Sequence, residues 1–576
     1  MTNMLAVARG EAPCDVLLKR ARLLNVFTGE IEAEQAIAIF AGRFAGIGDY
    51  EEGRELVDLA GSLVAPGFID GHIHLESTHL TPAAFASLVV PRGTMAIVAD
   101  PHEIVNVKGL AGLRYMIAAT HNLPISVYFM VPSCVPVSDF ETSGASLSAE
   151  DIADALQLER VIGLAEMMNY PGVVQGEPET LAKLAVAHRA GVLIDGHCPG
   201  LHGHSLNAYI ASGVRTDHET TKLEEGREKL RRGMFLMIRE GSSEKNLEAL
   251  LPLVTGHSDE RCMFVSDDCS PNDLAQLGHI DHIVRKAIRL GLPATRAYAL
   301  ATINPARYFR LHGSGAIAPG YNADFMVLDN MEHVQIAAVY HAGRKVAEAG
   351  RPLFQPPEFD DSSMRKSLRV SNFSIERLRI SANTRSARGS FPAIEIIPKQ
   401  ITTRKVDVKP PERDGLLWAD PANDLLKLAV VERHVGTGNV GLGFVRGFGI
   451  THGAIASSVA HDSHNIVVAG ASDEDMFAAV SEIIAMGGGM VAVADGQALA
   501  RLPLPIAGLL SDASPNTVIT AYDLLERSIR TLGCRLASPM ATLSFLALPV
   551  IPELRLTDKG LVDVVNFQFL DLSTRA

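Results

Sequence analysis

The chain is poor in the features that would place it outside a reducing interior or on a nucleic acid. Only six of its 576 residues are cysteine. No two of these, Cys14, Cys134, Cys198, Cys262, Cys269 and Cys534, form a CxxC pair. A disulfide framework and a cysteine-rich zinc site are therefore not expected. No apolar run reaches the length of a membrane span. The glycine-rich stretch MGGGMVAVADG is too short and carries an Asp. The first residues, MTNMLAVARGEAPCD, lack an apolar secretory core, so a cytoplasmic location is the expectation. Positive charge is also scarce. Lys and Arg number 52 against 66 Asp and Glu, a formal charge of -14, which disfavours a polyphosphate partner. The basic run from Arg365 to Arg388 is short and reads as a solvated linker.

A composition of 47% hydrophobic and 20% charged residues describes a globular chain, long enough for two or three domains. The first segment has short β-rich runs broken by Gly, Asn and Asp, the pattern of a small antiparallel sheet. From Pro66 the texture changes. Eight strand-like runs, FIDGHIH, TMAIVAD, ISVYFMVP, VIGLAEM, VLIDGHC, VRTDH, GMFLMIRE and CMFVSDD, alternate with helical stretches such as EPETLAKLAVAHRAG and DLAQLGHIDHIVRKAIRLG. The span of this pattern fits a (β/α)₈ barrel. A β-rich segment after Arg307 can return to the first sheet. The expected organisation is α/β. Residues 1–65 with 310–355 form a small composite β-sandwich, and 66–309 the barrel. Residues 356–401 are linker and strands, and 402–576 a further α/β domain.

The chemistry is concentrated at the ends of the barrel strands. His72 and His74 stand two apart in a strand, so both imidazoles face one side. Alone the pair is weak, because two surface histidines can share a strand by chance. Glu166 ends VIGLAEM, His197 ends VLIDGH, His218 follows VRTD and Asp267 ends MFVSD. Each taken singly is more simply a capped or solvent-facing residue. Their recurrence on successive strands makes coincidence a poor account, and imidazole with carboxylate suits Zn, Mn or Fe.

These motifs carry a resemblance. PGFIDGHIHLE with the later strand-end residues resembles the amidohydrolase superfamily, as does ATINPARYFRLHGSGAIAPGYNADFMVLD. HIHLESTHL, ADPHEIVNVKG, GLAEMMNYPGVV, DGHCPGL, SDDCSPNDL and GFVRGFGITHGAIASSVAHDSHNIVVAG are similar to the bacterial adenine deaminases. The resemblance covers nearly the whole chain. It implies two divalent metal ions, Mn or Fe before Zn. His72, His74 and Asp267 would hold the first, His197 and His218 the second, and Glu166 would bridge them in place of the carboxylated Lys of other branches. The implied reaction is hydrolytic deamination of adenine, with Asp267 moving the proton. Asp100, His102 and Glu103 in ADPHE are candidates for work on the purine ring, and Asp268 for contact with N7. The plainer reading of Asp100, Glu103 and Asp268 is helix capping. In SSVAHDSHN, His461 and His464 belong either to a hydrogen-bonded turn or to a loop that caps the barrel mouth and touches substrate or catalytic groups. A homodimer is also implied.

Two look-alike motifs fail on context. Gly436, Gly438 and Gly441 spell a dinucleotide fingerprint but lead into a strand-like run. His74-x-Glu76 is half of a cytidine-deaminase signature, and no PCxxC completes it. The competing functions are another amidohydrolase acting on a cyclic amide or different heterocycle, and a non-enzymatic relative stripped of its metal. The latter should have lost ligands, and all six are present.

Overall fold

The computed structural model describes residues 2–386, 389–398 and 400–570. Parts of two expected segments, namely Ala387, Arg388 and Lys399 in the linker and 571–576 at the end, lie outside the described residues. The central unit is parallel. Strands β1 (Phe68–Ile73), β2 (Thr94–Ala99), β3 (Ser126–Val131), β4 (Val161–Met167) and β5 (Leu193–Gly196) pair in chain order in one sheet. Strands β6 (Thr216–Asp217), β7 (Phe235–Arg239) and β8 (Cys262–Val265) pair in a second. The two sheets meet at both edges. Arg215 N donates to Ile194 O at 3.2 Å between β5 and β6, and Asp267 N donates to His72 O at 2.9 Å between β8 and β1. The result is a curled parallel sheet of the barrel type.

The runs are apolar throughout because both faces are covered. Ile69, Val98, Met130, Ala165, Met237 and Met263 form one core with Phe309 and Leu311. Alternate residues, Ile97, Phe129, Leu164, Ile238 and Phe264, belong to another that includes the surrounding helices. The first core closes the interior below the strand ends, so the polar residues at those ends sit on a dry floor. One expected helix is divided. DLAQLGHIDHIVRKAIRLG forms Pro271–Gln276 and Ile280–Arg289, because Gly278 between them adopts φ 122°.

The amino-terminal strands and the segment after the barrel share one nine-stranded sheet, with Leu63–Pro66 antiparallel to Phe325–Asn330. The pairing is mixed, where a small antiparallel sheet was expected. The cause is the long strand Cys14–Asn25. It pairs with Glu30–Phe40 along one edge and, in parallel, with Gly53–Asp58 and then Leu63–Pro66 along the other. Register shifts around Ala21 let it bend from one set of partners to the next.

A third, eight-stranded sheet contains Phe391–Ile396, Thr403–Val408, Leu425–Val431, Val440–Arg446, Ala454–Ser457, Ile466–Gly470, Gly489–Ala494 and Gln497–Pro503. Its membership begins before residue 402. Side chains alternate across it. Ala429, Val431, Ala456 and Val468 pack under helix Asp473–Met486. Leu426, Leu428, Val430 and Val467 face a core continuous with the barrel's. The basic run after Arg365 is not a solvated linker over its described length. Its apolar residues Leu368, Val370, Phe373 and Leu378 pack into this outer core, and Arg365 pairs with Asp361 and Asp512. Gly441 lies within strand Val440–Arg446, so the fingerprint letters precede no helix.

Candidate metal centre

All six strand-end residues converge above the barrel floor. His74 Nε2 lies 3.1 Å from Asp267 Oδ1 and 3.4 Å from Glu166 Oε1. His72 Nε2 is 3.9 Å from Asp267 Oδ1 and has no hydrogen-bond partner, although the residue is 2% exposed. His197 Nδ1 and His218 Nε2 approach Glu166 Oε2 at 2.6 and 3.1 Å. The rings of His72 and His218 stack 4.1 Å apart. Donor atoms gather within 4.8 Å of one another in the sets His72–His218–Asp267, Glu166–His197–His218 and His74–Asp100–His102–Glu166. Four strand-end imidazoles around two carboxylates, with an unpartnered buried His72 Nε2, fit divalent cations. Asp267 adopts φ 58° just past β8, a left-handed backbone that Asp tolerates and that turns its carboxylate back towards β1.

The charges reinforce one another. Burial works against ionising Asp267, yet Arg239 and His74 hold its carboxyl well below the usual range. Burial also opposes the charge on His218, and Glu166 outweighs it, raising the imidazole to about 9. His72 goes the other way. Burial, then His218 and His74, keep it neutral. A neutral imidazole is the form that binds a metal.

Two residues escaped the sequence reading. Arg239, at the end of β7, pairs with Asp267 Oδ2 and Glu219 Oε1, and its second nitrogen lies 3.2 Å from Glu219 Oε2. Glu219 directly follows His218. The strand-end rule that singled out the other six applies equally to the Arg of GMFLMIRE.

The ADPHE residues take different places. His102 Nδ1 is 3.2 Å from Asp100 Oδ2 and 3.4 Å from Glu166 Oε1. Asp100 lies beneath His102 and does not line the cavity above the cluster. Helix His102–Lys108 starts at Pro101 without a side-chain cap, so neither Asp100 nor Glu103 is a capping residue. Asp268 is not one either. The next helix is capped by Ser270, and Asp268 lines the cavity with Oδ1 unpartnered.

SSVAHDSHN comes down on the barrel mouth. Glu103 Oε1 lies 2.8 Å from His461 Nδ1, and Glu103 Oε2 meets His464 Nε2. Burial, then Glu103, act on His461 in opposite senses, and the carboxylate prevails to raise it to about 9. His461 lines the cavity. His464 is fully buried behind Glu103 and does not. The cavity therefore has a polar barrel side, including Glu166, His218, Arg239 and Asp267, and an apolar roof of Phe545, Leu548, Val550 and Ile551 from beyond the eight-stranded sheet. Its volume is ≈ 60 Å³, a few water positions at roughly 10–15 Å³ each.

Comparisons with known proteins agree along the whole chain. The model of the amidohydrolase family matches residues 63–351, and that of the adenine deaminase C-terminal domain matches residues 400–568. An adenine deaminase of Dehalococcoides mccartyi (strain CBDB1) is 49% identical over 574 residues, 100% of this chain and 99% of that protein. Adenine deaminase 2 of Carboxydothermus hydrogenoformans is 49% identical over 572 residues, 99% of each. An adenine deaminase of Oleidesulfovibrio alaskensis is 47% identical, covering 100% of this chain and 99% of that one.

Proposed function

The chain belongs to the adenine deaminases of the amidohydrolase family, and from that premise we propose how its residues carry out the hydrolysis of adenine to hypoxanthine and ammonia. The observation that carries this reading is the convergence of His72, His74, Glu166, His197, His218 and Asp267 at one end of a curled parallel sheet. The eight strands are read as a closed (β/α)₈ barrel, supported by the contacts at both sheet edges. The domains are read as 1–65 with 310–355, 66–309, 356–401 and 402–576.

His72, His74 and Asp267 would hold one divalent ion and His197 and His218 a second, with Glu166 shared by the two sets. The third donor set adds Asp100 and His102 as candidate ligands beside His74. Mn or Fe is preferred to Zn from the family resemblance. When bound, such ions supply an acidified water for attack on carbon. Asp267 is placed to accept a proton from the attacking water and deliver it to the departing amine. Addition at C6 and loss of ammonia then leave the C6 carbonyl. Asp267 Oδ2 is tied to Arg239, so Oδ1 is the atom left to face the histidines and the reaction. Asp268, whose carboxyl burial and neighbouring Asp267 push up, lines the cavity and is placed to accept from or donate to N7. His461, charged against Glu103, is the second donor to the ring. Glu103 acts through His461, and Asp100 through His102.

Among the described residues no helix is long and apolar enough to cross a membrane. A cytoplasmic homodimer is the assembly we propose. Metal-reconstituted protein incubated with adenine, adenosine, cytosine and guanine tests the substrate reading. Ammonia is expected from adenine well ahead of the others, because a small roofed cavity leaves no place for a ribose. Another amidohydrolase specificity would release ammonia from a different base.

A further inference from the structure

A second chamber lies beside the catalytic cavity. It is larger, ≈ 300 Å³ against ≈ 60 Å³. Glu103, Ser243, Asp268, His461 and Phe545 line both, so these residues form the partition. The chamber is bounded by the segments after β1 and β8 on the barrel side and by helices Pro515–Thr531 and Pro539–Phe545 on the other. None of the strand-end histidines reaches it.

Its lining has the make-up of a ligand site. Met490, Leu509 and Met540 are apolar, and the rings of His79 and Tyr522 lie stacked with centroids 6.1 Å apart. Five residues of its wall carry a polar atom with no hydrogen-bond partner: Glu103 and Asp268 in the partition, and Glu76 Oε2, His79 Nδ1 and Asn272 Oδ1 beyond it. The last three residues are 2%, 5% and 8% exposed. In each case the rest of the side chain is anchored. Glu76 Oε1 accepts from Ile104 N at 3.1 Å, and Asn272 Nδ2 donates to Asp523 Oδ1 at 2.6 Å. The His79 ring is fixed by its stack on Tyr522. Leaving buried polar atoms unpaired is costly, and natural interiors rarely do so without a ligand or water to satisfy them. Fixed acceptors opposite an aromatic pair recognise a planar heterocycle bearing N–H groups.

We propose that this chamber binds a second molecule of free purine base, held beside the one being turned over at the metal centre. The identity of the ligand rests on the deaminase reading above. The existence of a second site rests on the chamber alone. The base stacks on the His79–Tyr522 pair and offers ring and exocyclic N–H groups to Glu76 and Asn272. Its nearness to Glu103, Asp268 and His461 makes it a holding site for substrate arriving or product leaving.

Equilibrium dialysis of the metal-loaded protein with labelled hypoxanthine counts the sites without turnover. Two molecules per chain are expected, the second bound more weakly. Met540→Trp fills the chamber and Asn272→Leu removes one acceptor. Either should reduce the count to one while leaving metal content at the wild-type level. The milder Asn272→Leu serves if Met540→Trp does not fold. One molecule per chain in the wild type means the chamber holds water only and overturns the proposal. So do two molecules that survive both substitutions. Ammonia release from adenine is measured in parallel. Its absence defeats the functional reading, whereas its presence with a single hypoxanthine site defeats only the chamber.

Discussion

Glu103 Oε1 on the barrel lies 2.8 Å from His461 Nδ1 in the loop that follows strand Ala454–Ser457 of the third sheet. Both residues line the catalytic cavity. The carboxy-terminal domain thus supplies part of the cavity wall. The core between it and the barrel is continuous, so cutting the chain before Thr402 would bare the barrel mouth and the face beneath the third sheet.

Substituting this contact is the gentler test. His461→Asn removes the cation beside Glu103 while keeping a polar group in the loop. Metal content should be unchanged and kcat should fall by about 10²-fold or more, the lower range for a lost proton donor. Elemental analysis alongside steady-state kinetics makes the comparison. Near wild-type kcat would reduce the loop to a structural lid.

Arg239 balances Asp267 and Glu219, which are buried with it. Arg239→Met should therefore destabilise the metal-free protein by about 3–5 kcal/mol, the usual cost of breaking a buried ion pair. Bound divalent ions supply positive charge to the same carboxylates, so the loss should be smaller in the metal-loaded form. Thermal unfolding of both forms reads the difference. An equal loss in the two would separate Arg239 from the metal centre.

Asp267→Asn keeps an oxygen for metal but no base. It should retain most of its metal and lose about 10²–10⁴-fold in kcat. His197→Ala should lose metal first. Should Asp267→Asn turn over normally, the base must be reassigned to Glu103, which lines the cavity where Asp100 does not.

How much of this was legible beforehand follows from where each signal resides. The six suspected ligands stood out because each polar residue ends an apolar run, and strand periodicity alone puts such residues at one end of a parallel sheet. His461 and His464 were legible as a polar cluster, but their partner Glu103 was not, since nothing local to either segment encodes that meeting. His464 looked like a substrate contact and instead sits buried behind Glu103, a distinction that depends on tertiary depth. The mixed pairing of the first sheet was hidden for a similar reason. Composition marks Cys14–Asn25 as a strand but does not choose its neighbours. Arg239 was legible and passed over, because a strand-end Arg is not a metal ligand.

Gly196 closes β5 just before His197. A Cβ there would come within 2.2 Å of the Thr216 carbonyl oxygen on β6. Gly196→Ala must push the two strands apart, at a cost of about 1–3 kcal/mol. His197 should move away from Glu166, so affinity for the second ion should weaken more than for the first. Metal titration followed by calorimetry checks this. Unchanged binding of both ions would place His197 outside the metal set.

Metal-dependent hydrolysis of adenine at the cluster above the barrel floor leaves a mark in the product. The most direct measurement is product analysis by mass spectrometry in water enriched in ¹⁸O, with chelated and with Mn- or Fe-reconstituted protein. The account predicts hypoxanthine carrying one ¹⁸O at C6 and one ammonia per adenine consumed, abolished by chelation, restored by metal and absent with His72→Ala. Reconstituted protein that leaves adenine intact, or that deaminates adenine equally well after chelation, would contradict it.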